Sequence, residues 1–165
     1  MRAGEFGRVM KLQKATLFAL YSLLELALRP DRQLSAGEIA EKYGISNNHL
    51  AKVLRDLGRA GLVEATRGVG GGYRFAGNAK RTTLLDVIEL FEEIGAPSSQ
   101  GGDRGARTDI GLSLHPVLDE IEQIARATLD SITIETLVNQ IRRRAEQGAE
   151  AGRAPPARLA ARAAK

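Results

Sequence analysis

The chain has 165 residues, 43% of them hydrophobic but only 4% aromatic, with no cysteine and a formal net charge of +4. That length suffices for one domain with an aliphatic core and an appended element, and the missing cysteines exclude disulfides, thiolate metal sites and a cysteine nucleophile. No apolar run reaches membrane-spanning length and no signal-peptide pattern opens the chain, so a cytoplasmic protein without membrane contact is expected.

The charge is unevenly placed. Residues 42–81 carry 8 basic and 2 acidic groups, whereas residues 82–150 carry 6 basic and 13 acidic ones. A positive segment followed by a negative body suits a protein that presents one face to a polyanion.

Residues 1–9 read as a flexible extension. Lys14 to Leu28 is predicted helical, and its LFALYSLLELAL core is apolar almost all round, as in a helix buried on more than one side. Pro30 ends it. Ser35 and Glu38 have the spacing of a capping box for a second helix, with Ile39 and Ala40 inward and Gly44 at its end. Ser46 then caps a third helix, Asn47 to Ala60. Leu50, Val53, Leu54 and Leu57 repeat at i, i+3, i+4 and i+7 along one face. Asn47, Asn48 and His49 occupy its first turn, and Lys52, Arg55 and Arg59 its polar flank. A helix packed through one side, with amide side chains at its N-terminal end and cations beside them, is what a DNA-reading helix requires.

Leu62 to Thr66 and Gly72 to Phe75 are predicted to be the two strands of a hairpin. Its tip, Arg67-Gly68-Val69-Gly70-Gly71, is rich in glycines that permit positive φ and close backbone approach. No Lys-Ser/Thr pair and no helix follow these glycines, which argues against a nucleotide-phosphate loop. Thr82-Thr83 opens a further helix with Leu84, Val87, Ile88 and Phe91 inward. Residues 95–113 are expected to be a mobile loop.

Leu114 to Ile132 reads as a long helix, with Pro116 in its first turn. Leu114, Leu118, Ile121 and Ala125 step along it like a heptad seam, and a homodimer formed through this helix is expected. Thr133 is placed to cap a last short helix, so that residues 114–145 form the dimerising unit. Residues 146–165 are expected to be a disordered basic tail.

At Gly61-Leu62-Val63, Arg67-Gly68 and Gly71-Gly72-Tyr73 the sequence resembles the Rrf-type bacterial winged-helix regulators, the group of IscR, NsrR and CymR. Lys11-Leu12, Ile39-Ala40, Gly44-Ile45-Ser46, His49-Leu50, Leu57 and Leu85-Asp86-Val87 extend the resemblance over about Met10 to Val138. It implies a mainly α fold: a winged helix-turn-helix with a two-stranded β-wing, spanning residues 10–94, and a long C-terminal dimerisation helix. It also implies a homodimeric repressor that binds double-stranded DNA, the third helix in the major groove and the wing at the minor groove. Carried onto this chain, the contacts fall on Ser46, Asn47, Asn48, His49, Lys52 and Arg55, and on Arg67, Gly70, Gly71 and Gly72.

The sequence departs from the family in one respect. Many members hold an iron–sulfur cluster through three cysteines ahead of the long helix. Residues 95–114 contain none, and Leu17 stands where the nitric-oxide-sensing branch uses an aspartate ligand. No iron–sulfur cofactor and no metal site is therefore expected, since His49, His115 and scattered carboxylates make a poor donor set. A small-molecule or protein effector is expected instead. No nucleophile–base pair or paired carboxylates mark an enzyme. The competing class is a winged-helix module that binds protein rather than DNA.

Overall fold

The computed structural model of the protein describes residues 12–92 and 104–153. The first helix, α1 (Lys14–Leu28), is the central beam of the core: Ala19, Leu23 and Leu26 are wholly buried, and α3, α4, α6 and the wing all pack on it. Its other apolar residues, among them Phe18, Leu20, Leu24 and Leu28, lie half-buried around that core.

α2 (Ala36–Tyr43) begins with the expected capping box. Ser35 Oγ accepts the Glu38 amide at 3.1 Å, and the Glu38 carboxylate accepts the Ser35 amide at 2.7 Å. Gly44 closes the helix at φ 63°, a conformation that costs glycine little. Ile45, 7% exposed, then turns into the core, and Ser46 starts α3 (Asn47–Arg59). Strands β1 (Val63–Thr66) and β2 (Gly72–Phe75) pair antiparallel with Val63 opposite Phe75 and Thr66 opposite Gly72. Leu34 adds a bridge to the outer edge of β2, exchanging both backbone hydrogen bonds with Tyr73 at 3.0 and 2.8 Å. The wing is thus sewn to the segment that leads into α2.

The second half departs from the sequence reading in four places. α4 (Leu84–Ile88) is only five residues long, though a Thr83–Asp86 capping box fixes its start. α5 (Asp109–Ser131) begins five residues before Leu114, because Thr108 Oγ1 accepts the Gly111 amide at 3.1 Å and caps the helix there. Pro116 therefore lies inside the helix rather than in its first turn, and the rest of the helix tolerates one missing amide bond. Within the expected loop, residues 104–107 form a short 3₁₀ turn packed on α5, and residues 93–103 lie outside the described chain. Gly111 makes that packing feasible: a Cβ there would lie 2.0 Å from the Gly105 carbonyl oxygen.

α6 (Ile134–Arg153) is long rather than short, and it incorporates residues 146–153 of the expected disordered tail. The run Arg-Arg-Arg-Ala-Glu-Gln is composed of strong helix formers, which carry the helix past the last core contact. Its first turn is anchored: Ile134 is fully buried, and its amide bonds to the Thr82 carbonyl at 2.9 Å. The 1–9 extension and residues 154–165 lie outside the described chain.

Candidate nucleic-acid interface

α3 is divided lengthwise. Leu50, Val53, Leu54 and Leu57 are at most 2% exposed and lock it against α1 and α2. Asn47, Asn48, Lys52 and Arg55 are exposed, and none has a side-chain hydrogen bond or ion pair among the described residues. Their donors are therefore free to meet an external partner. Arg59, farther along the helix, is engaged by Asp56 at 3.4 Å.

Two of the sequence-selected residues serve the helix itself. Ser46 Oγ accepts the His49 amide at 3.3 Å and so satisfies an orphan donor of the first turn. The His49 ring is half-buried and stands edge-on to Phe18 of α1, with centroids 5.1 Å apart and planes at 76°. Both residues fix how the first turn is presented.

The wing carries a second cationic point. Arg67 is exposed and has no partner among the described residues, whereas Arg74 is held across the sheet by Glu64 at 2.6 Å. Gly68 and Gly70 take φ of 109° and 79°, a conformation side chains resist. Gly71 and Gly72 have a further role inside the wing. The Gly71 amide bonds to the Gly68 carbonyl at 3.0 Å, and a Cβ there would sit 2.3 Å from the Thr66 carbonyl oxygen. A Cβ on Gly72 would sit 2.8 Å from the Leu34 carbonyl oxygen. These two glycines close the wing upon itself. Val69 is left at the tip with its side chain wholly in solvent.

Behind α3 lies a charged cluster that the sequence reading missed. Glu25, 5% exposed, receives hydrogen bonds from Arg29 of the α1 C-cap and from Lys42 and the Tyr43 hydroxyl of α2. Burial pushes its carboxyl up, but these bonds outweigh burial and hold it below the usual carboxylate range. Burial and the same carboxylate push the Tyr43 phenol well above its ordinary value. Tyr43 also stacks on Tyr21 of α1, with centroids 4.8 Å apart. The cluster ties the end of α2 to α1. A glutamate in the middle of an apolar helix, four residues before an arginine, was the available signal.

The N-terminal two-thirds of α5 exposes a continuous apolar stripe. Ile110, Leu114, Val117, Leu118, Ile121 and Ile124 are each between 49% and 78% exposed. Ala125 differs from Leu114, Leu118 and Ile121 in being half-buried, at the point where α5 turns onto α4 and Arg126 meets Glu89 at 2.6 Å.

The chain matches the model of a family described as "Iron-dependent Transcriptional regulator", Rrf2, over residues 12–140. BadM of Rhodopseudomonas palustris, named as an HTH-type transcriptional regulator, is 54% identical over 142 residues, covering 84% of this chain and 90% of its own. Among solved structures, CymR of B. subtilis, the global cysteine regulator, superposes with a TM-score of 0.65 at 25% identity, covering 79% of this chain and 98% of that one. IscR of T. potens superposes with a TM-score of 0.63 at 22% identity, covering 89% of this chain and 93% of that one.

The donor set does not fit the iron chemistry in the family's description. The whole sequence lacks cysteine, and the described residues contain no group of three or more His, Cys, Asp or Glu side chains placed to hold a metal. Extent of match and identity together decide the affiliation: this chain belongs to the Rrf2 family of winged-helix transcriptional regulators, which is not an enzyme family.

Proposed function

We propose that this protein is a homodimeric, cytoplasmic repressor that reads a palindromic DNA operator without an iron–sulfur cofactor. The observation that carries this reading is the unspent polar face of α3: Asn47, Asn48, Lys52 and Arg55 are exposed with no internal partner. Asn side chains pair bidentately with adenine in the major groove, and Lys and Arg reach guanine or phosphate. Ser46 and His49 set the first turn. Arg67, on a glycine-rich tip, supplies the contact at the adjacent minor groove, with Gly70, Gly71 and Gly72 shaping the wing.

Dimerisation through α5 is supported by its exposed stripe, with Leu114, Leu118 and Ile121 at the contact and Ala125 at its edge. Two copies related by a two-fold axis would present two α3 helices to two half-sites. The signal is a small molecule or a protein acting near the junction of α4 and α5, in keeping with a chain that has no thiolate.

The test is affinity selection of fragmented host genomic DNA on the purified protein at moderate salt, followed by sequencing. A shared inverted repeat upstream of a few genes is the expected result. Binding should fall steeply with salt, because Lys and Arg displace counterions from phosphates. No enrichment even at low salt would favour the protein-binding alternative.

A further inference from the structure

The wing tip has an unusual composition for an element that meets a polyanion. Between Arg67 and Tyr73 the sequence is Gly-Val-Gly-Gly-Gly, so Val69 is the only side chain in the run. It is also the most exposed large apolar residue among those described. Gly68 and Gly70 on either side hold positive φ, so the turn that projects Val69 is built into the backbone. The closing bond from the Gly71 amide to the Gly68 carbonyl fixes the tip as a narrow hairpin end.

Arg67 stands at the tip's edge, but the tip itself offers two methyl groups on a backbone stripped of neighbouring side chains. The minor groove is only about 6 Å wide, and its floor distinguishes base pairs chiefly by the guanine 2-amino group. A bare ribbon with a single branched apolar side chain fits that slot. Where the 2-amino group is absent, the methyls occupy its space and shed water. Where it is present, it blocks the methyls and finds no acceptor on them.

We propose that Val69 is a specificity-determining residue that selects A·T over G·C pairs beneath the wing by excluding the guanine 2-amino group. Arg67 acts beside it through charge alone, whichever base pair lies beneath. This inference rests on the wing lying at the minor groove, as proposed above. It adds that discrimination there is steric and resides in one apolar side chain.

The test uses duplexes taken from the genomic selection, with the base pairs under the wing located by minor-groove footprinting. Those pairs are then made A·T, G·C or inosine·cytosine. Inosine·cytosine keeps the major-groove face of G·C but lacks the 2-amino group. The wild-type protein should bind the A·T and inosine·cytosine duplexes alike and the G·C duplex about tenfold more weakly, the scale of one unfavourable base pair. Val69→Ala, at a position with no internal contacts to lose, should narrow that gap to about threefold or less with an unchanged salt slope. Arg67→Ala should weaken all three duplexes together and flatten the slope. Equal weakness on G·C and inosine·cytosine, equal affinity for all three, or a Val69→Ala variant that still discriminates would each overturn the inference while leaving DNA binding intact. Failure of the wild-type protein to select any DNA would overturn the reading beneath it as well.

Discussion

Replacing Glu25 by Gln removes a charge but keeps the size and most of the shape. In the folded protein the Glu25 carboxylate is 6% exposed at its side chain and receives hydrogen bonds from Arg29, Lys42 and Tyr43. A hydrogen bond to a charged group contributes about 1.5–3 kcal/mol. The Arg29 and Lys42 side chains are 42% and 52% exposed, so water screens both and much of their share is regained by solvation in the variant. A loss of about 2 kcal/mol at neutral pH follows, mostly from the half-buried Tyr43 bond and the weakened ion pairs. For a chain of this size that is a fall in melting temperature of about 4–8 °C. The sign of the pH dependence is fixed by the direction of the shift. The carboxyl's folded-state value lies below its reference value of 4.5, so its contribution is complete above that value and is lost as pH falls through the folded-state value. Thermal melts of wild type and Glu25→Gln at one protein concentration, from pH 7 into acid, should therefore start well separated and draw together as the pH falls. Equal melts at pH 7, or a gap that widens as the pH falls, would refute the assignment of this cluster as the strut between α1 and α2.

Other outcomes are expected from the same geometry. Asn48→Ala should cut affinity for the selected operator about tenfold while sparing random DNA, whereas Lys52→Ala should weaken both alike, as competition binding would read out. Ile121→Asp, in the centre of the α5 stripe, should shift the protein to monomer in sedimentation velocity and reduce operator affinity at least tenfold, since one half-site is lost; an unshifted dimer would remove α5 as the contact. Gly72→Ala should destabilise the protein by about 1–3 kcal/mol, because its Cβ meets the Leu34 carbonyl rather than a side chain that can move. Protein purified without oxygen should be colourless and carry substoichiometric iron; a visible absorption band would show that a donor set other than cysteine holds a cluster.

Much of the reader domain was legible because its signals are local. The Ser35–Glu38 box, Gly44, the Ser46 cap and the Leu50–Leu57 row each depend on residues within one or two helical turns. The glycine wing and its strands declared themselves in the same way, to within one residue. The start of α5 was misplaced because Pro116 looks like a first-turn residue, whereas the true cap at Thr108 depends on Gly111 packing under a neighbouring turn. The extent of α6 was underestimated because the composition of residues 146–165 was read as one tail, whereas its first residues continue a run of helix formers.

The sequence by itself determined the helix-turn-helix, the wing and the polar face of α3, since periodicity, caps and charge need no knowledge of distant contacts, and its motif residues carried the resemblance to the family. Only the tertiary structure decided which polar groups are still available to a partner. Arg74 and Arg67 look alike in sequence, yet Glu64 lies across the sheet from the first, while the second is free of partners among the described residues. Gly71 and Gly72 read as DNA contacts, and the fold adds that the backbone of Thr66 and Leu34 fills the space where a side chain would stand. Glu25 carried no assignment in the sequence, yet two elements converge on it. Whether a donor or a gap is spent inside the protein depends on what the fold brings against it from far along the chain.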